Sequence, residues 1–128
     1  MNNNITKALF IISLFAVSIL LSACSKSDEP GKFDAFATCL TEKGVIMYGT
    51  EWCPHCQNQK KLFGNSFDYI NYIDCDKSQQ ACTEAGITGY PTWFVGGEYY
   101  PGEQSFYDLA TRSGCEIQPA SPAVSDAQ

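Results

Sequence analysis

Cys53 and Cys56 stand three positions apart in Thr50-Glu51-Trp52-Cys53-Pro54-His55-Cys56, with the chain's one histidine between them. Two thiols so spaced can clip a metal, staple a loop or exchange electrons with another sulfur. The flanking residues weigh on the choice. Pro54 stands where a helix would begin, Gln57 to Phe63 are good helix formers, and Gly64 follows as a stop. Cys53 then falls at the helix N-cap and Cys56 one turn in. Unpaired N–H groups and the positive end of the macrodipole gather at that cap, and both favour a thiolate on Cys53. The thiolate is the nucleophile in disulfide exchange. Cys56, deeper in the helix, is placed to resolve a mixed disulfide. His55 can add a positive charge or a hydrogen-bond donor near Cys53.

Around this pair the pattern alternates helix and strand. Phe33, Phe36, Ala37 and Leu40 recur at helical spacing and Gly44 stops them, which predicts a helix over 33–43. Val45 to Tyr48 is a short apolar run suited to a buried parallel strand. Tyr69 to Asp74 reads as a second strand, Gln79 to Ala85 as a short helix, and Thr92 to Val95 as a third strand. Gly96-Gly97 predicts a hairpin turn into a fourth, Glu98 to Tyr100. Ser105 to Ser113 is the last helix, with Phe106, Leu109 and Ala110 on one face. The order is α-β-α-β-α-β-β-α, an α/β domain over 33–115.

This order, with a cysteine pair at the first strand-to-helix junction, resembles the thioredoxin fold, a central four-stranded mixed sheet flanked by helices. Glu51 to Cys56 resembles the active-site segment of that superfamily, and Gly89-Tyr90-Pro91-Thr92 its cis-proline loop. The stretches around them look most like the thioredoxin-like domains fused to bacterial vitamin K epoxide reductase homologues. The resemblance implies a thiol-disulfide oxidoreductase that works through Cys53 and Cys56 with no cofactor. It implies that Pro91 is cis and faces the pair, leaving the Tyr90 backbone free to pair with an extended substrate segment. Trp52, Tyr90, Pro91 and Thr92 are then expected to contact substrate. The Pro54-His55 dipeptide matches that of strongly oxidising periplasmic disulfide-forming enzymes. Stabilising a thiolate stabilises the reduced form, so the pair leans toward donating disulfides. One position departs from the pattern. Many thioredoxins carry a buried carboxylate six residues before the first cysteine, and here that residue is Met47. A general base for Cys56 is not identified.

Seven cysteines are present. Setting Cys24 aside leaves six, which suggests disulfides in an exported small domain, with fifteen connectivities open on parity alone. In a thioredoxin fold the first helix and the chain after the last helix can approach each other, which suits a Cys39–Cys115 bridge. Cys75 and Cys82 lie close along the chain and suit a second staple. A zinc ribbon is the rival reading, since Cys53, Cys56 and Cys75 match its first three ligands, but the next cysteine comes six residues later rather than two. A glutaredoxin-like enzyme fits Tyr48, Cys53, Pro54 and Cys56, although no cationic pair for glutathione stands beside Gly96-Gly97.

The ends set the expected location. Ala8 to Leu21 is an apolar run that reads as the core of a secretory signal. Leu21-Ser22-Ala23-Cys24 resembles the lipobox of bacterial lipoproteins, which implies a signal peptide over 1–23 and a lipidated Cys24. A polar linker is expected to follow to residue 32, and a disordered tail over 116–128. The mature protein is expected at a membrane of the cell envelope, facing the periplasm or exterior, anchored without spanning. The formal charge of −6, with no basic stripe, argues against nucleic acid. Expected partners are cysteine-containing envelope proteins and a quinone-linked membrane enzyme resembling vitamin K epoxide reductase. A monomer is expected.

Overall fold

The computed structural model describes residues 30–118. The expected signal peptide, Cys24 and the tail from residue 119 lie outside the described residues. Helix α1 spans Asp34–Glu42, β1 Ile46–Gly49 and α2 Pro54–Phe63. A 3-10 helix follows over Gly64–Tyr69, then β2 over Tyr72–Asp74 and α3 over Gln79–Glu84. The chain closes with β3 over Thr92–Val95, β4 over Glu98–Pro101 and α4 over Phe106–Ser113. The expected order is observed, with the 3-10 helix added.

The four strands form one sheet in the order β2-β1-β3-β4. β1 is central, parallel to β2 with Met47 opposite Tyr72, and antiparallel to β3 with Met47 opposite Trp93. β3 and β4 form a hairpin closed by Gly96-Gly97, whose φ values of 61° and 92° are the positive pair that a tight two-residue turn needs.

Two boundaries differ from the sequence reading. β2 begins at Tyr72 rather than Tyr69, because residues 64–69 coil into the 3-10 helix, where the Ile70 N–H donates to the Phe67 carbonyl at 2.9 Å. That coil brings the Phe67 ring to 6.2 Å from Phe63 and 5.6 Å from Tyr72. Val45 stays outside β1 because its N–H is held by the Leu40 carbonyl at 3.0 Å.

The main core lies between the sheet and helices α1, α2 and α4. Phe36, Leu40, Met47, Trp93 and Leu109 are wholly buried there. The Phe63 and Phe106 rings pack 4.6 Å apart, and Phe33 meets Phe106 at the same separation. Each large apolar side chain so buried stabilises by roughly 1.5–3 kcal/mol. Disulfides join Cys39 to Cys115 and Cys75 to Cys82. The first ties α1 to the chain beyond α4, and the second lies in a smaller cluster with Tyr48.

Candidate active site

The site is built where β1 ends and α2 begins. Cys53 is the N-cap of α2 in extended conformation, and Pro54 follows as its first residue, where a missing N–H costs nothing. Cys53 and Cys56 are free thiols, and both are buried. The Cys56 N–H points at Cys53 Sγ at 3.3 Å, so the sulfur takes the place of a capping oxygen. On its other side Cys53 Sγ lies 3.5 Å from the Tyr90 carbonyl oxygen, to which a thiol can donate. The Tyr90–Pro91 peptide is cis. Pro91 is buried, and its carbonyl accepts from the Gly102 N–H at 2.7 Å, which fixes the loop across the cysteine pair.

Trp52 is 68% exposed beside the buried sulfurs, and its ring meets Tyr90 edge-on at 6.2 Å. These two rings form an apolar rim. Thr92 is not part of it. The residue is buried and its hydroxyl donates to the Gly89 carbonyl at 2.8 Å, so it braces the proline loop and has no free surface for substrate. His55 has a partner outside the cysteine pair. Its Nδ1 pairs with Glu103 Oε1 at 2.7 Å, and the side chain is 70% exposed. The bond reaches from α2 to the loop before α4. The His55 bond, and then one from Asn58, hold the Glu103 carboxyl below the usual range.

Cys56 sits deeper. Burial, and then its hydrogen bond with Cys53, push its thiol up to about 12, while the Thr50 backbone and Lys60 pull the other way. Met47 is buried in β1 at the position where many thioredoxins carry a carboxylate. Glu51 is exposed and pairs with Lys60 at 2.7 Å. Lys60 in turn lies 4.1 Å from the centre of the Tyr72 ring.

Sequence reasoning missed Gln59. It is buried, and its Oε1 accepts from Trp93 Nε1 at 3.3 Å and from the Gln104 N–H at 2.7 Å. Its Nε2 donates to the Gln104 carbonyl at 3.0 Å, so one side chain fixes α2 to β3 and to the loop before α4. It lies one turn beyond Cys56 on the same helix, where a glutamine reads as part of a solvated face.

The third thiol of the zinc-ribbon spacing, Cys75, is bonded to Cys82. Among the described residues no group of three or more His, Cys, Asp or Glu is placed to hold a metal ion. Residues 26–107 match the thioredoxin family model. The chain belongs to the thioredoxin family. Over 95 residues it is 35% identical to the thiol-disulfide oxidoreductase LTO1 of Arabidopsis thaliana, covering 67% of this chain and 25% of that protein. Over 80 residues it is 31% identical to protein disulfide isomerase-like 2-2 of Oryza sativa subsp. japonica, covering 52% of this chain and 22% of that protein. The chain thus spans about a quarter of the length of the curated relatives it matches. Among solved structures, Fasciola hepatica thioredoxin aligns at a TM-score of 0.41 and 16% identity, covering 60% of this chain and 88% of that one. With the family comes its chemistry. This thioredoxin domain is a thiol-disulfide oxidoreductase that uses its own cysteines and no cofactor.

Proposed function

We propose that the protein is an envelope enzyme that exchanges the Cys53–Cys56 disulfide with cysteine-containing exported proteins, leaning to oxidation, and is held at a membrane through a lipidated Cys24. The observation that carries the exchange is the placing of Cys53. Its sulfur caps α2 and lies against the Tyr90 carbonyl, under the Trp52–Tyr90 rim. A substrate thiolate attacks Cys53 Sγ of the oxidised pair. The Cys53–Cys56 bond breaks, Cys56 leaves as a thiolate, and a mixed disulfide forms at Cys53. A second substrate thiolate then displaces Cys53, and the substrate departs oxidised by two electrons. The Pro54-His55 dipeptide supports this direction, and the apolar run 8–21 before Leu21-Ser22-Ala23-Cys24 supports the location. Reoxidation then falls to a quinone-linked membrane enzyme of the vitamin K epoxide reductase type, the partner that the sequence resemblance suggests.

A Cys56→Ala protein expressed in a bacterial envelope tests this. Without the resolving thiol, mixed disulfides through Cys53 should accumulate on non-reducing gels and disappear with reductant. Adducts containing exported proteins support exchange through Cys53, accumulation of those proteins with free thiols in cells lacking the enzyme supports oxidation, and recovery of no adduct sinks the proposal.

A further inference from the structure

Every exchange at this site passes through a thiolate on Cys56. When a substrate thiolate attacks the oxidised pair, Cys56 leaves carrying the bonding electrons. When the reduced pair attacks a substrate disulfide, Cys56 must lose its proton before it displaces the substrate from Cys53. The sulfur that bears this charge is wholly buried. A buried anion is unfavourable unless it is hydrogen-bonded; the Thr50 backbone supplies one such bond, and the strand offers Met47 where a carboxylate would otherwise manage the proton.

Two buried hydroxyls near Cys56 have no hydrogen-bond partner, those of Thr50 and Tyr72, and Tyr72 is the one whose ring shares the space beside Gly49 with the sulfur. A Cβ built on Gly49 would stand 2.8 Å from Cys56 Sγ, 3.1 Å from Tyr72 Cε2 and 3.4 Å from Tyr72 Oη. Sulfur and hydroxyl therefore flank the same missing carbon, and glycine leaves the space between them open. Several charged and titratable groups act on Tyr72 or on Cys56. Glu51 pairs with Lys60 at 2.7 Å, and Asp74 with Lys77 at 2.8 Å. Cys53 acts on both, and its sulfur caps α2. Lys60 holds its ammonium over the Tyr72 ring. Burial first, then the negative charge of Glu51 and Asp74, raise the Tyr72 phenol. It keeps its proton throughout the range in which the enzyme works, which makes it a donor and not a base.

We infer that the Tyr72 hydroxyl is a side-chain hydrogen-bond donor that stabilises the Cys56 thiolate during exchange, beside the bond from the Thr50 backbone. A thiol is a weak acceptor and offers the hydroxyl little, whereas a thiolate makes a strong, charge-assisted bond. The contact therefore forms with the charge. The proton lost by Cys56 ends on the departing substrate thiolate, and that of Tyr72 stays on the phenol. The inference rests on the Cys53–Cys56 exchange, and its test separates the two.

The reduced protein is mixed with 5,5′-dithiobis(2-nitrobenzoate) in a stopped-flow instrument across a pH series. The first thionitrobenzoate release reports attack by Cys53, and the second reports its displacement by Cys56. With Tyr72→Phe the second release should slow about tenfold near neutral pH, equivalent to one unit on its pH profile. The first should change less than about twofold. A merely structural ring is preserved by Phe and would leave the second profile in place, which overturns the inference. Should the Phe variant fail to fold, 3-fluorotyrosine at position 72 serves instead. Its more acidic phenol is a better donor and should speed the second release, and an unchanged rate overturns the inference equally. Absence of any second release from the unsubstituted protein would sink the exchange reading itself.

Discussion

A methyl group at position 49 would stand 2.8 Å from Cys56 Sγ, closer than real side-chain carbons come to a neighbour. Gly49 ends β1, the sulfur and the Tyr72 ring both border the space that a Cβ there would fill, and neither is the free end of a flexible chain. Its backbone does not require glycine, since its φ is not positive. The requirement is space. Gly49→Ala should therefore destabilise the protein by about 1–3 kcal/mol, the usual cost of overpacking. It should also slow closure of the Cys53–Cys56 disulfide by moving Cys56. Urea unfolding and the rate of intramolecular disulfide formation measure the two effects, and a variant matching the parent in both would show that the contact yields freely. His55 is the opposite case. Its partner is the exposed Glu103 and their separation is that of a surface ion pair, so the pair adds little to stability.

Helix α2 carries both reacting sulfurs, and its fixing to the sheet is what holds them. Gln59 does this with three hydrogen bonds. Gln59→Leu keeps the volume and leaves Trp93 Nε1 and the Gln104 backbone without their partner. Trp93 Nε1 is the buried orphan and costs about 1–3 kcal/mol, while the part-buried Gln104 backbone can turn to water, so a loss of roughly 1–3 kcal/mol is expected in urea, with a changed Trp93 emission. A loss below half a kcal/mol would mean that the loop before α4 rearranges to satisfy itself. The helix was legible in advance because Pro54 and Gly64 bracket it, and the β3–β4 hairpin because Gly96-Gly97 announces the turn. The 3-10 helix was not, because Asn65-Ser66-Phe67-Asp68 has no period to reveal it. Gln59 was hidden for a related reason. A polar residue in a helix reads as a solvated face, and only the packing against Trp93 shows it buried. Tyr72 looked like one more apolar strand residue, since its role depends on Gly49 from the neighbouring strand. The cysteine pair and the proline loop were legible because each is a local motif. Their supporting groups are assembled across strands and helices, where spacing in sequence carries no signal.

At the scale of the whole molecule, two disulfides outside the active pair hold the fold in either redox state. The Cys39–Cys115 bridge has a sequence separation of 76 and stabilises by roughly 4.5 kcal/mol in the chain-entropy account. The Cys75–Cys82 bridge, with a separation of 7, contributes roughly 2.5 kcal/mol. The redox-dependent part of the stability then falls on the active pair, and it depends on pH. In the reduced protein burial pushes the Cys56 thiol up to about 12. In the unfolded chain the same thiol ionises near about 8.5. Between these values the unfolded state loses a proton that the folded state keeps. Stability contributed by the neutral Cys56 is therefore complete below about 8.5 and declines as pH rises toward about 12. Oxidised protein has no thiol at position 56, while the tyrosines raised by burial, Tyr48 and Tyr72, are present in both forms. The melting temperature of the reduced form should therefore fall relative to the oxidised form as pH is taken from 8 to 10. A Cys56→Ser protein, melted alongside under reducing conditions, should lack the Cys56 part of that decline. An equal fall in the serine variant would place the proton uptake elsewhere and remove the buried thiol as its source.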